Sequence, residues 1–154
     1  MKKKIFLLLF FLFLSSCGYE AIYSKKNSIN YNFSISELNF IGDRDVNLKM
    51  KQRLNIYTLG KKNKNFKIKI TSKSIKVVTA NDTTGDALSF RNTVAINVEI
   101  STNNKLKDNF TISESFNYNN NANKFSLKKY EREIKNNLAE TISEKLISKI
   151  SNIQ

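Results

Sequence analysis

"LSFRNTVAINVEISTNNKLKDNFTISESFNY", Leu88 to Tyr118, decides the fold. Leu88, Phe90, Val94, Ile96, Val98 and Ile100 share one parity, and so do Leu106, Phe110, Ile112, Phe116 and Tyr118. A period of two is the strand period, in which successive side chains point to opposite faces of a sheet. Each run therefore turns one apolar face to a core and one polar face to water. Between them stands Asn103-Asn104, a pair that tolerates the two positive φ angles of a tight hairpin turn. The stretch predicts a long antiparallel hairpin with one buried face.

Working outward, residues 79–87, "TANDTTGDA", have the composition of a turn. Before them, "FKIKITSKSIKVV" (Phe66 to Val78) places Phe66, Ile68 and Ile70 on one face. The apolar phase then switches ahead of Ile75 and Val77, which predicts a bulge or bend. A further strand alternates through Tyr31, Phe33 and Ile35 and resumes out of phase at Leu38 and Phe40, predicting an irregularity near Glu37. Asp43 is placed to cap a helix in which Val46, Met50, Leu54 and Tyr57 recur at helical spacing until Gly60. Asn119 to Asn123 read as a loop. After it Leu127, Tyr130, Ile134, Leu138, Ile142, Leu146 and Ile150 recur every three or four residues, which predicts a helix of about 25 residues with Ser126 as its N-cap. The order is β-α-β-β-β-α: an α+β fold in which two helices pack a four-stranded, mostly antiparallel sheet, occupying residues 31–154 as one domain. The order of strands within the sheet stays open.

Composition narrows the chemistry. The 154 residues include no His, no Pro, no Trp, one Cys and four scattered Gly. Zinc sites, Ser/Cys–His nucleophiles and Gly-rich phosphate loops therefore have no basis. Glu131 and Glu133 lie two apart on a helix and do not face one another. No enzyme is expected, and no cofactor. The formal charge of +13 suits an anionic partner: nucleic acid, an acidic membrane surface, or a phosphorylated glycolipid. Half of the lysine surplus is assigned to a coding bias, since the chain is also crowded with Asn and Ile.

The N-terminus decides among those partners. Met1-Lys2-Lys3-Lys4 is a short basic region, followed by ten uninterrupted apolar residues, Ile5 to Leu14. Ten residues span roughly 15 Å as a helix, half of a bilayer's hydrocarbon core, so the run has the layout of a secretory signal. Leu14-Ser15-Ser16-Cys17 closes it with the only cysteine of the chain. This resembles the lipobox of bacterial lipoproteins, in which the cysteine thiol receives a diacylglycerol and the peptide is cut before it. The resemblance implies a signal peptide at residues 1–16, a lipid on Cys17, and a lipidated tether over residues 17–30. It leaves a mature chain with 23 basic and 13 acidic side chains. Gly18, where inner-membrane lipoproteins carry Asp, implies the periplasmic face of the outer membrane. Behind an export signal, nucleic acid drops out.

Three stretches resemble the lipopolysaccharide-assembly lipoprotein family LptE. They are "CGYEAIY" (17–23), "ALSFRNTVAINVEIS" (87–101) and "KYEREIKNNLAETISEKLISKI" (129–150). The likeness extends over nearly all of the mature chain in layout, and over these stretches in residues. It implies a lipid-anchored, non-catalytic partner of the outer-membrane barrel LptD, which helps that barrel assemble and delivers lipopolysaccharide to the cell surface. It also implies direct lipopolysaccharide binding by cations near the sheet's loops; the matching region offers Arg91, Lys73, Lys76, Lys124, Lys128 and Lys129. Lipid A phosphates call for charge-assisted donors, Arg as a fork and Lys as a point charge. Many relatives carry an early proline and loop glycines, where this chain has Glu20-Ala21 and Asn-rich loops. The competing expectation is an outer-membrane lipoprotein that binds or activates a component of peptidoglycan synthesis. A tether of about a dozen residues extends at most 3.6 Å per residue, which favours a partner close to the anchoring membrane.

Overall fold

The computed structural model describes residues 32–60 and 62–153, so the signal peptide, Cys17 and the tether lie outside the described residues. Within that span β1 (Phe33–Gly42) leads to α1 (Arg44–Leu54) and a 3-10 turn (Asn55–Thr58). Then come β2 (Lys64–Asn81), β3 (Ala87–Thr102), β4 (Lys105–Asn119) and α2 (Lys124–Ser151). The α+β order β-α-β-β-β-α is as the sequence predicts. The sheet order is β1-β2-β3-β4, with β1 parallel to β2 and the two later pairings antiparallel.

One face of the sheet makes the core. Ile68, Ile70, Val94, Ile96, Val98 and Ile100 are buried on it, and Val46, Met50 and Leu54 of α1 pack onto them together with Ile134, Ile142, Leu146 and Ile150 of α2. Each fully buried Leu or Ile contributes about 1.5–3 kcal/mol. Both helices lie on this one face. Tyr130, expected in the stripe of α2, is 44% exposed and meets the edge of Tyr118 instead.

The irregularity near Glu37 is present: the β1–β2 register shifts between Ile35 and Glu37, which returns Leu38 and Phe40 to the core side. Asn103 and Asn104 adopt φ of 50° and 59°, closing the β3–β4 hairpin as expected. Four details differ. No register shift accompanies Ile75 and Val77; β2 runs straight through them, and they stand at 44% and 45% exposure on the face that neither described helix covers, the uncovered face below. The interruption in the apolar pattern marks a change of face, with Ser72 and Ser74 taking the core-side positions, where Ser74 Oγ donates to Asn92 Oδ1 at 3.1 Å. Leu106 is out of phase with its strand. A shift between Ile100 and Ser101 pairs it with Ser101, and it is 65% exposed. The cap of α2 is Asn123, whose side chain accepts from the Ser126 N–H, so the helix starts earlier and runs 28 residues. The turn is also tighter than 79–87, because Asp82 accepts from the Thr84 and Asp86 N–H groups and lets both strands extend to 81 and 87.

Asp43 caps α1 as predicted, its Oδ1 accepting from Asp45 N and Val46 N at 3.0 and 3.1 Å, while Lys135 of α2 pairs with Oδ2 at 3.0 Å. Burial pushes its carboxyl pKa up, but the Val46 N–H and Lys135 outweigh that, and the net shift is below the ordinary 3.8. The stabilising contribution of a depressed carboxyl is present above the ordinary value and is lost as pH falls through the folded one. Asp43→Ala is expected to cost about 1–2 kcal/mol by the loss of the cap. A fall in urea midpoint at pH 7 that narrows as both proteins are taken below pH 3.8 checks it. An equal difference at every pH would show that the charge plays no part.

Candidate functional site at the far end of the sheet

The strand period separates the expected cations. Lys73 and Lys76 are three residues apart on β2 and so point to opposite faces. Lys73 is exposed on the uncovered face opposite Ala95, and Arg91 of β3 is exposed on that same face between Val77 and Asn117. Arg91 Nε donates to Asn117 Oδ1 at 2.8 Å, which ties the guanidinium to β4.

Lys76 lies on the helix-covered side. Its Nζ sits 3.8 Å from the centroid of Phe90 and pairs with Glu131 of α2. The same Glu131 oxygen accepts from the Tyr118 hydroxyl at 2.9 Å. Burial, and then the Glu131 carboxylate, raise the Tyr118 pKa above the usual phenol range. Lys76, Glu131 and Tyr118 thus fasten the start of α2 to β2 and β4, a use of Lys76 and Glu131 that sequence reasoning missed. The available signal was Glu131 at helical spacing from Leu127 and Ile134, on the inward side of the stripe.

Lys124, Lys128 and Lys129 are exposed on the first two turns of α2. Beside them, between the C-terminal end of β4 and the first turn of α2, lies an open cleft of about 750 Å³. Phe116, Asn117, Tyr118, Asn120, Leu127 and Tyr130 are among its walls. Asn117 links it to Arg91. Apolar side chains stand exposed at the same end: Val78 at 52%, Leu88 at 51%, Phe116 at 46% and Phe125 at 80%. Arg91 is tied to a residue of the cleft wall, Asn117, whereas Lys124, Lys128 and Lys129 stand exposed on the adjoining turns of α2 without lining the cleft, Lys73 lies further along the sheet, and Lys76 serves packing.

Cations beside exposed aromatic and aliphatic groups suit a ligand that is both anionic and apolar, such as a phosphorylated lipid. Among the described residues no group of three or more His, Cys, Asp or Glu could hold a metal ion.

No protein-family model matches the chain, and no curated protein matches it in sequence. Solved structures do share its fold. Rare lipoprotein B from Shewanella oneidensis superposes with a TM-score of 0.55 at 12% identity, over 75% of this chain and 97% of that one. A minor lipoprotein from Acinetobacter baumannii gives 0.51 at 13% identity, over 79% and 91%. Lipoprotein B from Nitrosomonas europaea gives 0.51 at 9% identity, over 79% and 86%. At such identities the likeness is one of fold, and the fold is that of these lipoproteins.

Proposed function

We propose that this chain is a lipoprotein of the outer membrane, anchored through a lipid on Cys17, that partners an LptD-type barrel and takes part in delivering lipopolysaccharide to the cell surface. One conjunction carries the reading: a lipobox, Leu14-Ser15-Ser16-Cys17, stands directly ahead of a domain with the fold of rare lipoprotein B. Neither half alone would suffice, since lipoboxes precede many folds and the fold likeness is remote in sequence.

In this reading the protein is a non-catalytic subunit. Surface contact with the barrel holds it, as in other stable complexes, over many residues. Arg91, Lys124, Lys128 and Lys129 meet lipid A phosphates, with Phe116 and Phe125 offering apolar contact to acyl chains. Lys73 adds charge on the uncovered face. Lys76, held by Glu131 and Phe90, keeps the cleft wall in place instead of meeting ligand.

The test is purification of the lipidated protein from mild detergent through a C-terminal tag. A stoichiometric outer-membrane barrel, with bound lipopolysaccharide, is expected. Recovery with a cell-wall synthase in place of a barrel would transfer the protein to peptidoglycan assembly. Unchanged barrel levels and surface lipopolysaccharide after depletion would sink the proposal outright.

A further inference from the structure

The chain enters the domain at one end of the sheet, and that end is rich in lysine. Asn32 leads into β1, whose first residue, Phe33, pairs with Lys64 at the start of β2. Three residues further in, Lys67 pairs with Ser101, whose partner on β4 is Leu106. At about 3.3 Å per residue, the start of β1, the loop before β2 and the β3–β4 hairpin thus fall within about 10 Å along the strand axis. The C-terminus of α2 arrives at the same end, where Lys64 Nζ donates to the Ile153 carbonyl at 2.7 Å.

Residues 55–64, 101–107 and 149–153, which form this end, contain no acidic side chain. They supply Lys62, Lys64, Lys105, Lys107 and Lys149. Lys62, Lys105 and Lys107 are exposed, and the Lys62 N–H donates to Ser34 Oγ at 3.2 Å, which fixes the loop beside β1. Interspersed are Ile56, Leu59 and Leu106, exposed at 59%, 69% and 65%. The opposite end carries acid as well, with Asp82 and Asp86 in the β2–β3 turn.

We propose that this end rests on the anionic phospholipids of the leaflet that holds the anchor, with its lysines over the headgroups and Ile56, Leu59 and Leu106 at the headgroup boundary. Three observations choose that occupant: a rim in which lysines outnumber acids, apolar side chains among them, and attachment of residues 17–31 at the same end. The inference rests on the lipid-anchored reading given above. The lipid brings the domain to the surface, and the charged end then selects which way up it stands. A lysine near an anionic leaflet contributes about a fivefold factor, screened beyond about 10 Å by salt.

The mature lipidated protein offers a clean probe, because with Cys17 acylated it holds no free thiol. Asn63→Cys at the cationic end and Thr83→Cys at the far end are labelled with a fluorophore. Each protein is placed in phosphatidylcholine vesicles with or without phosphatidylglycerol, together with a lipid-borne quencher. Quenching at position 63 that requires phosphatidylglycerol, fades with salt and is absent at position 83 is expected. Lys62→Gln, Lys105→Gln and Lys107→Gln together should lower the surface-docked population about 100-fold. Equal quenching at both positions, or quenching indifferent to phosphatidylglycerol, would overturn the proposed orientation while leaving the anchor intact. Thiol labelling of the parent chain would instead overturn the anchoring on which the inference depends.

Discussion

Gly42→Ala is expected to cost about 3–5 kcal/mol, a large part of the 5–15 kcal/mol that holds a domain of this size together. Gly42 ends β1 with φ at 103°, a conformation that L side chains rarely adopt. Strain of that kind costs about 1–3 kcal/mol. A Cβ here would also press into the Ser72 carbonyl oxygen, well inside van der Waals contact. Neither side can retreat easily. The Ser72 carbonyl accepts from the Asp43 N–H at 3.3 Å, and Ser72 Oγ lies 2.7 Å from Asn47 Oδ1 and within hydrogen-bond reach of the Ile41 and Asp43 carbonyls. The junction of β1, α1 and β2 is therefore rigid at the point where the methyl would go. Gly85→Ala is the control, because Gly85 has φ of 93° but no neighbour within 4 Å of an added Cβ. It should cost about 1 kcal/mol. Urea unfolding of the two variants checks the difference, and equal midpoints would mean that the junction can relax.

Cys17→Ser should release the protein from the membrane altogether. In the proposed reading Cys17 holds a diacylglycerol through a thioether that serine cannot form, and each acyl CH₂ lost removes about 0.8 kcal/mol of membrane affinity. With several chains gone, what remains is the charged end of the domain, an interaction that salt dissolves. Fractionation before and after a high-salt wash, with intact mass of the mature chain, reads both parts. Retention of the variant through that wash would mean that Ile5 to Leu14 anchors the chain unaided, although a run of ten residues reaches only about half of the hydrocarbon core.

The pattern of residues was a good guide wherever one physical period ruled alone. Alternation located β3 and β4, and the phase slip at Glu37 showed as a register shift in β1. Helical spacing found α1 and α2 because their buried stripes are mostly apolar. Failures came where two rules met. Ile75 and Val77 look like a slipped strand because alternation reveals parity but not which face a helix covers. Leu106 keeps the parity of β4 in sequence yet loses it to the register shift beside Ser101. Ser126 was the conventional cap, but Asn123, in a run of asparagines with near-equal capping ability, takes that place. The candidate cations were legible only as charges. Parity alone separates Lys73 from Lys76, whereas the pairing of Lys76 with Glu131 depends on where α2 crosses the sheet, a long-range fact absent from any local window.

The length of β2 has a mechanical consequence. Its 18 residues, at about 3.3 Å each, make the sheet close to 59 Å long, against about 19 Å for four strands side by side. A domain held at one end of such a blade is a lever. A rocking of about 20° where Lys62 and Leu106 sit swings the end bearing Val78 and Phe116 through roughly 20 Å, with every strand keeping its register.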